Sequence, residues 1–192
     1  MMETLTDITL QYANSFQQLG IHKVAHLDKP LTHHMFDTYS ILRRMRRPQY
    51  VCLAGLFHGS YGTQGFHTDE INCIPEARRG LVRNIAGERS EQLIYEFSVM
   101  TYESLSKSFR NVLKRGGQPE LVDRTNGKIM PMSVKQFEEV LVMKLADVLA
   151  HLPEQSSHTC VNLAEEHAAF WEVVADHLGE DCLSIWNDML SA

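Results

Sequence analysis

The chain has 192 residues, 44% of them hydrophobic and 22% charged, with a net charge of −6 and four cysteines. A chain of that size builds one domain with its own core and needs no disulfide or metal staple to fold. The acidic balance argues against a dedicated nucleic-acid binder, which carries a basic excess.

The opening residues lack the basic and apolar regions of a signal peptide, and no apolar run of about 18 residues follows. Cys52, Cys73, Cys160 and Cys182 form no CxxC pair. The expectation is a reduced, cytoplasmic protein without membrane contact, with Cys52 and Cys182 as buried thiols. The whole chain, 1–192, reads as a single domain.

Apolar residues recur at helical period from Thr4 to Leu19, and Gly20 suits the helix C-cap. Residues 21–32 read as a loop containing Pro30. Thr32 reads as the N-cap of a helix to about Arg46, whose basic last turn complements the helix dipole. Pro48 starts the next helix, from Gln49 to about Ser60. Its core is almost wholly apolar, which marks a buried helix. Residues 61–74 read as a glycine-broken loop. Pro75 opens a helix through about Ile85, ended by Gly87. A long amphipathic helix is expected from Glu88 to Lys114, ending at Gly116-Gly117. Asn126-Gly127 predicts a small β-hairpin near residues 120–130. Ser133 then caps a helix stopped by Pro153. Helices at about 160–178 and 180–190 close the chain, with Trp171 and Trp186 packing them onto the body. The fold class is all-α with one minor hairpin.

Ten histidines stand against eighteen Lys and Arg, and histidine is the commonest metal ligand. Three residues draw the chemistry. His34 lies one turn into a helix, His58 ends the buried helix, and Asp147 lies mid-helix among core residues. Buried carboxylates and imidazolium ions need a partner or a metal, and two histidines with an aspartate suit a divalent ion. In the following loop, Tyr61, Thr63, Gln64, His67, Asp69 and Glu70 are candidate polar contributors. His33 and Asp37, spaced i, i+4, form a rival pair on another helix face. Arg78, Arg79, Arg83 and Arg89 are candidate phosphate contacts, or salt-bridge partners of Glu76, Glu88 or Glu91. His158, His167 and His177 read as exposed.

The stretches His34-Met-Phe-Asp-Thr-Tyr-Ser-Ile-Leu42, Leu53-Ala-Gly-Leu-Phe-His58 and Lys144-Leu-Ala-Asp147 resemble the HD superfamily of metal-dependent phosphohydrolases. Residues 53–97 are similar to the hydrolase domain of the bifunctional guanosine tetraphosphate synthetase/hydrolases. His58-Gly-Ser-Tyr-Gly-Thr63 is closer to HD-like proteins with an LFHSxYGT-type motif. The resemblance covers roughly residues 30–150, with 155–192 as C-terminal helices packed on that core. It implies an HD-like helical domain with His34, His58 and Asp147 as metal ligands; in the loop, His67 in reserve, with Asp69, could replace the carboxylate missing at 59. Gly59 stands where the family has the Asp of its His-Asp pair. On that reading His58, Tyr61 and Thr63 are the candidate catalytic residues, and Arg78, Arg79, Arg83, Arg89 and Gln64 the candidate substrate contacts. The cofactor would be Mn, Fe, Co or Mg, and the partners a small phosphorylated metabolite or nucleotide and a second copy in a homodimer. Two alternatives stay open: an HD-fold non-heme iron oxygenase, and a non-catalytic module that binds a ligand or partner.

Overall fold

The structure is a computed structural model and describes residues 5–26, 29–66, 76–152 and 167–191. Helix α1 (Leu5–Gln18) ends at Gly20, whose positive φ of 71° a residue with a Cβ adopts only at a cost. The segment expected to be a plain loop then forms a one-turn 3-10 helix (Ile21–Lys23) and a short antiparallel hairpin, β1 (Ala25–His26) with β2 (Lys29–Pro30). Helix α2 (Leu31–Arg44) starts directly after Pro30. Thr32 therefore lies inside the helix, and no side chain caps it. Two-residue strands carry no apolar alternation, so nothing in their sequence separates them from a loop.

Helix α3 (Gln49–Phe57) follows Pro48, and His58–Tyr61 continue it as a 3-10 turn. Helices α2 and α3 pack closely because position 55 is glycine. A Cβ there would stand 2.3 Å from Leu42 Cδ1. Helix α4 (Glu76–Ala86) precedes α5 (Glu88–Val99). The single long helix expected over 88–114 is two helices, because α5 stops at Val99 and α6 (Tyr102–Arg115) starts afresh. The break is tertiary. Strands β3 (Glu120–Val122) and β4 (Ile129–Pro131) form the expected hairpin. Its backbone takes the intervening residues: Thr101 N–H donates to Val122 O, Arg124 N–H donates to Val99 O, and Met100 bridges to Asp123. Thr101 then caps α6 by accepting from Ser104 N–H.

Ser133 opens helix α7 (Val134–Leu149) with a full capping box, Gln136 reaching back to it. From Val140 to Leu149 every α7 residue is buried, so this helix is the axis of the core. Helices α2, α3 and α5 pack around it, and α8 (Ala168–His177) and α9 (Glu180–Leu190) close one side. Trp171 and Trp186 are buried there, as are the free thiols Cys52 and Cys182. Among the described residues no helix is long and apolar enough to cross a membrane. Pro75, Cys73, Pro153, His158 and Cys160 lie outside the described residues.

Candidate metal centre

A buried helix cannot carry charge without an answer to it, and the buried stretch of α7 carries two charged residues one turn apart. Lys144 Nζ donates to Asp147 Oδ2 at 2.6 Å, and both side chains are almost fully buried. Burial alone would raise the carboxyl pKa of Asp147. The Lys144 ammonium, with the bond to His34, outweighs it and holds the carboxyl well below its usual range. Burial likewise works against the Lys144 ammonium, and Asp147 more than compensates, so its pKa rises.

The other carboxylate oxygen faces two imidazoles from two different helices. His34 Nε2, on α2, stands 3.0 Å from Asp147 Oδ1, and His58 Nε2, at the end of α3, stands 3.3 Å from the same atom. Burial pushes the His34 pKa down to about 3 despite Asp147, which keeps that ring neutral. A further imidazole sits one turn beyond Asp147: the His151 ring stacks on His34 at 4.3 Å between centroids. The ligand atoms of His34, Asp147 and His151 lie within 4.8 Å of one another. His58 touches the shared carboxylate but stands outside that tightest set. Phe97 closes the site edge-on to His58, with centroids 5.5 Å apart.

The hydrogen-bond inventory of His58 is the informative part. Its Nδ1 is 2.7 Å from Gly55 O. A carbonyl oxygen only accepts, so Nδ1 carries the proton and Nε2 of the neutral ring is a lone pair. That lone pair points at a carboxylate oxygen, which is repulsive unless a second ring proton or a cation lies between. The spacings suit a cation. Ligand atoms that share an ion at bonds of about 2.1 Å and right to tetrahedral angles stand about 3.0–3.4 Å apart, as these do. The bonds from His58 to Gly55 O and from Lys144 to Asp147 are the outer contacts that orient metal ligands. Two or three neutral imidazoles and one carboxylate are a donor set for a borderline divalent ion. The residues present fit such an ion.

The three residues singled out in the sequence thus converge on one point. His151 was missed, although its signal was legible: it follows Asp147 by four residues, hence on the same helical face. His33 is exposed, away from the buried face of α2 that presents His34, and Asp37 is half-buried. His67, Asp69 and Glu70 lie outside the described residues. Gly59 does not aim at the cluster. A Cβ there would meet Leu31 Cδ2 at 3.3 Å and Met35 Sδ at 3.6 Å, so an aspartate on this backbone would enter an apolar wall.

The remaining candidates serve other partners. Tyr61 donates to Glu91 Oε1 at 2.9 Å, and Arg79 grips both Glu91 oxygens at 2.6 and 3.0 Å. Arg83 joins the same carboxylate at 3.4 Å, so the Glu91 salt-bridge alternative is the one the fold uses. Arg78 ties α4 to the carbonyls of Ser60 and Leu19. Arg89 pairs with Glu139 and lies over the Tyr50 ring at 3.7 Å. Thr63 exchanges bonds with Phe66, and Gln64 accepts from Tyr102 N–H at the start of α6. His167 is exposed as expected, whereas His177 is half-buried, 3.2 Å from Glu138.

Residues 15–101 match the family model of a domain of unknown function, DUF6817. The match covers less than half of the chain and contains His34, His58 and Gly59 but not Asp147 or His151. Neither a curated protein nor a solved structure matches this sequence.

Proposed function

We propose that this chain is an HD-like, metal-dependent hydrolase acting on a small phosphorylated substrate. The observation that carries the reading is His58 Nε2 standing 3.3 Å from Asp147 Oδ1 while Nδ1 is committed to Gly55 O. His34, His58 and Asp147 would hold the ion, with His151 as an additional nitrogen donor from the next turn of α7. The nitrogen-rich set favours Mn²⁺, Fe²⁺ or Co²⁺ over Mg²⁺. When bound, such an ion supplies acidification of a water molecule and polarisation of a phosphoryl oxygen.

The chain's own residues do the rest. Gly55 O fixes the His58 tautomer. Lys144 orients Asp147 and offsets its charge, and burial keeps His34 neutral and therefore able to ligate. Phe97 limits water at the His58 edge. The arginines at 78, 79, 83 and 89 are engaged in holding the fold, so substrate charge falls to other residues.

The Lys144–Asp147 pair favours one competing reading, a non-catalytic module whose polar core is satisfied by its own charges. Phosphatase assays on p-nitrophenyl phosphate and a panel of phosphorylated metabolites, with added Mn²⁺, Fe²⁺ or Co²⁺, separate the two. The hydrolase reading expects turnover that requires the ion and is lost in His58→Gln. No turnover in any ion, with no bound metal, leaves the non-catalytic module.

A further inference from the structure

Lys144 belongs to two places. Its ammonium meets Asp147 in the cluster, and its side chain also lines a cleft of about 300 Å³ between α6, α7 and the start of α8. Lys144 thus stands between the cleft and the candidate metal centre. Such a volume is at the small end of ligand pockets and suits a compact metabolite.

The α6 wall is a stripe at helical spacing: Tyr102, Ser106 and Arg110 stand four residues apart on one face. Tyr102 is at the cluster end, with Lys144 Nζ 4.2 Å from its ring centroid. Arg110 lies eight residues on, roughly 12 Å along the helix axis. Across from it, Phe170 and Trp171 supply aromatic surface. Arg110 is exposed, stands 5.8 Å from the Phe170 ring, and makes no ion pair among the described residues. Among the described residues the lining holds one carboxylate, Glu103, which is exposed and two helical turns from Arg110.

An aromatic-walled cleft with a guanidinium left for a ligand reads as a seat for a flat, apolar, anionic molecule. Guanidinium binds carboxylate and phosphate oxygens in pairs, and aromatic rings take planar bodies by stacking. We infer that this cleft binds a small anion with a planar apolar body, Arg110 being the residue that fixes its anionic group. Its role as the substrate's seat rests on the metal-centre reading; the binding itself does not. Contacts this far from the reacting end supply binding energy that positions the substrate.

The chain has two tryptophans, and only Trp171 lines the cleft, so fluorescence reports occupancy directly. We would titrate the full chain, with and without EDTA, with 1-naphthyl phosphate, 1-naphthol and inorganic phosphate. The expected result is saturable quenching by 1-naphthyl phosphate that disappears in Trp171→Phe. Affinity should fall at least tenfold in Arg110→Gln, which is exposed and leaves the fold intact, and at least tenfold for 1-naphthol or phosphate alone. Binding that persists in EDTA-treated protein with no bound metal supports this inference while removing the hydrolase reading. Unsaturable quenching in the wild type, or equal affinity in Arg110→Gln, overturns it.

Discussion

Two buried carboxylates organise this molecule, and they are answered in opposite ways. Glu91 accepts from Tyr61, twice from Arg79, and from Arg83. Every partner is a donor, so the network is complete as it stands. Burial would raise the Glu91 pKa, but those bonds outweigh it and keep the carboxyl below its ordinary 4.5. Asp147 has one unambiguous donor, Lys144, and two imidazoles, of which His58 has its other nitrogen committed to Gly55. The first network is closed by donors alone; in the second, Lys144 answers Oδ2 while Oδ1 faces two ring nitrogens that need a proton or a cation between. Burial and partner number are alike in the two, so only donor bookkeeping tells a structural carboxylate from one prepared for a cation.

The largest expected effect breaks the closed network. Glu91→Ala leaves Arg79 without its partner and Tyr61 without an acceptor, and should cost about 3–5 kcal/mol. Urea unfolding measures it, and added metal should not change it. The comparison sharpens with Lys144→Met, which strands Asp147 in the core. Without metal the loss should be about 3 kcal/mol. Added Mn²⁺ should restore a large part of it, because the ion takes over the role of the ammonium. Recovery in Glu91→Ala as well, or in neither variant, would erase the distinction.

Acid should separate the networks too. A carboxyl whose folded pKa is depressed stabilises the fold above its unfolded value, and that contribution disappears as pH falls through the folded one. The Glu91 contribution is therefore complete above about pH 4.5 and lost below it. Glu91→Gln should flatten the acid limb of a stability–pH curve. Glu96 has the opposite sign. Burial raises its pKa, so Glu96→Gln should be neutral or stabilising at pH 7, with the gain vanishing toward pH 4.

Gly59 tests whether the aspartate was simply lost. Gly59→Asp would drive a carboxylate against Leu31 and Met35, and should cost about 2–3 kcal/mol without adding a bound ion. A variant that binds a second ion without losing stability would show that the backbone had room for it. The smallest effect concerns helix ends. Ser133→Ala removes the α7 capping box and should cost about 1 kcal/mol in thermal unfolding.

Ser133 was also legible in the sequence, as were Gly20, Gly116 and the Asn126-Gly127 turn, because caps and turns depend on residues close along the chain. The break between α5 and α6 was not, since no glycine or proline marks it and the hairpin some twenty residues later imposes it. For the site, apolar context around His58 and Asp147 was enough to nominate them. The sequence could not show that Gly55 fixes the His58 tautomer or that Lys144 answers Asp147, because those facts exist only once α2, α3 and α7 are packed. Resemblance to known enzymes drew attention to the arginines, but Glu91 and Glu139 had the stronger claim on Arg79, Arg83 and Arg89.

The most direct test is metal stoichiometry. Wild-type protein and His58→Gln are dialysed against Mn²⁺ or Co²⁺, freed of loose ions, and read by elemental analysis. The account predicts one ion per wild-type chain and a large loss in His58→Gln. A wild-type chain that retains none, or a variant that retains as much as the wild type, contradicts it.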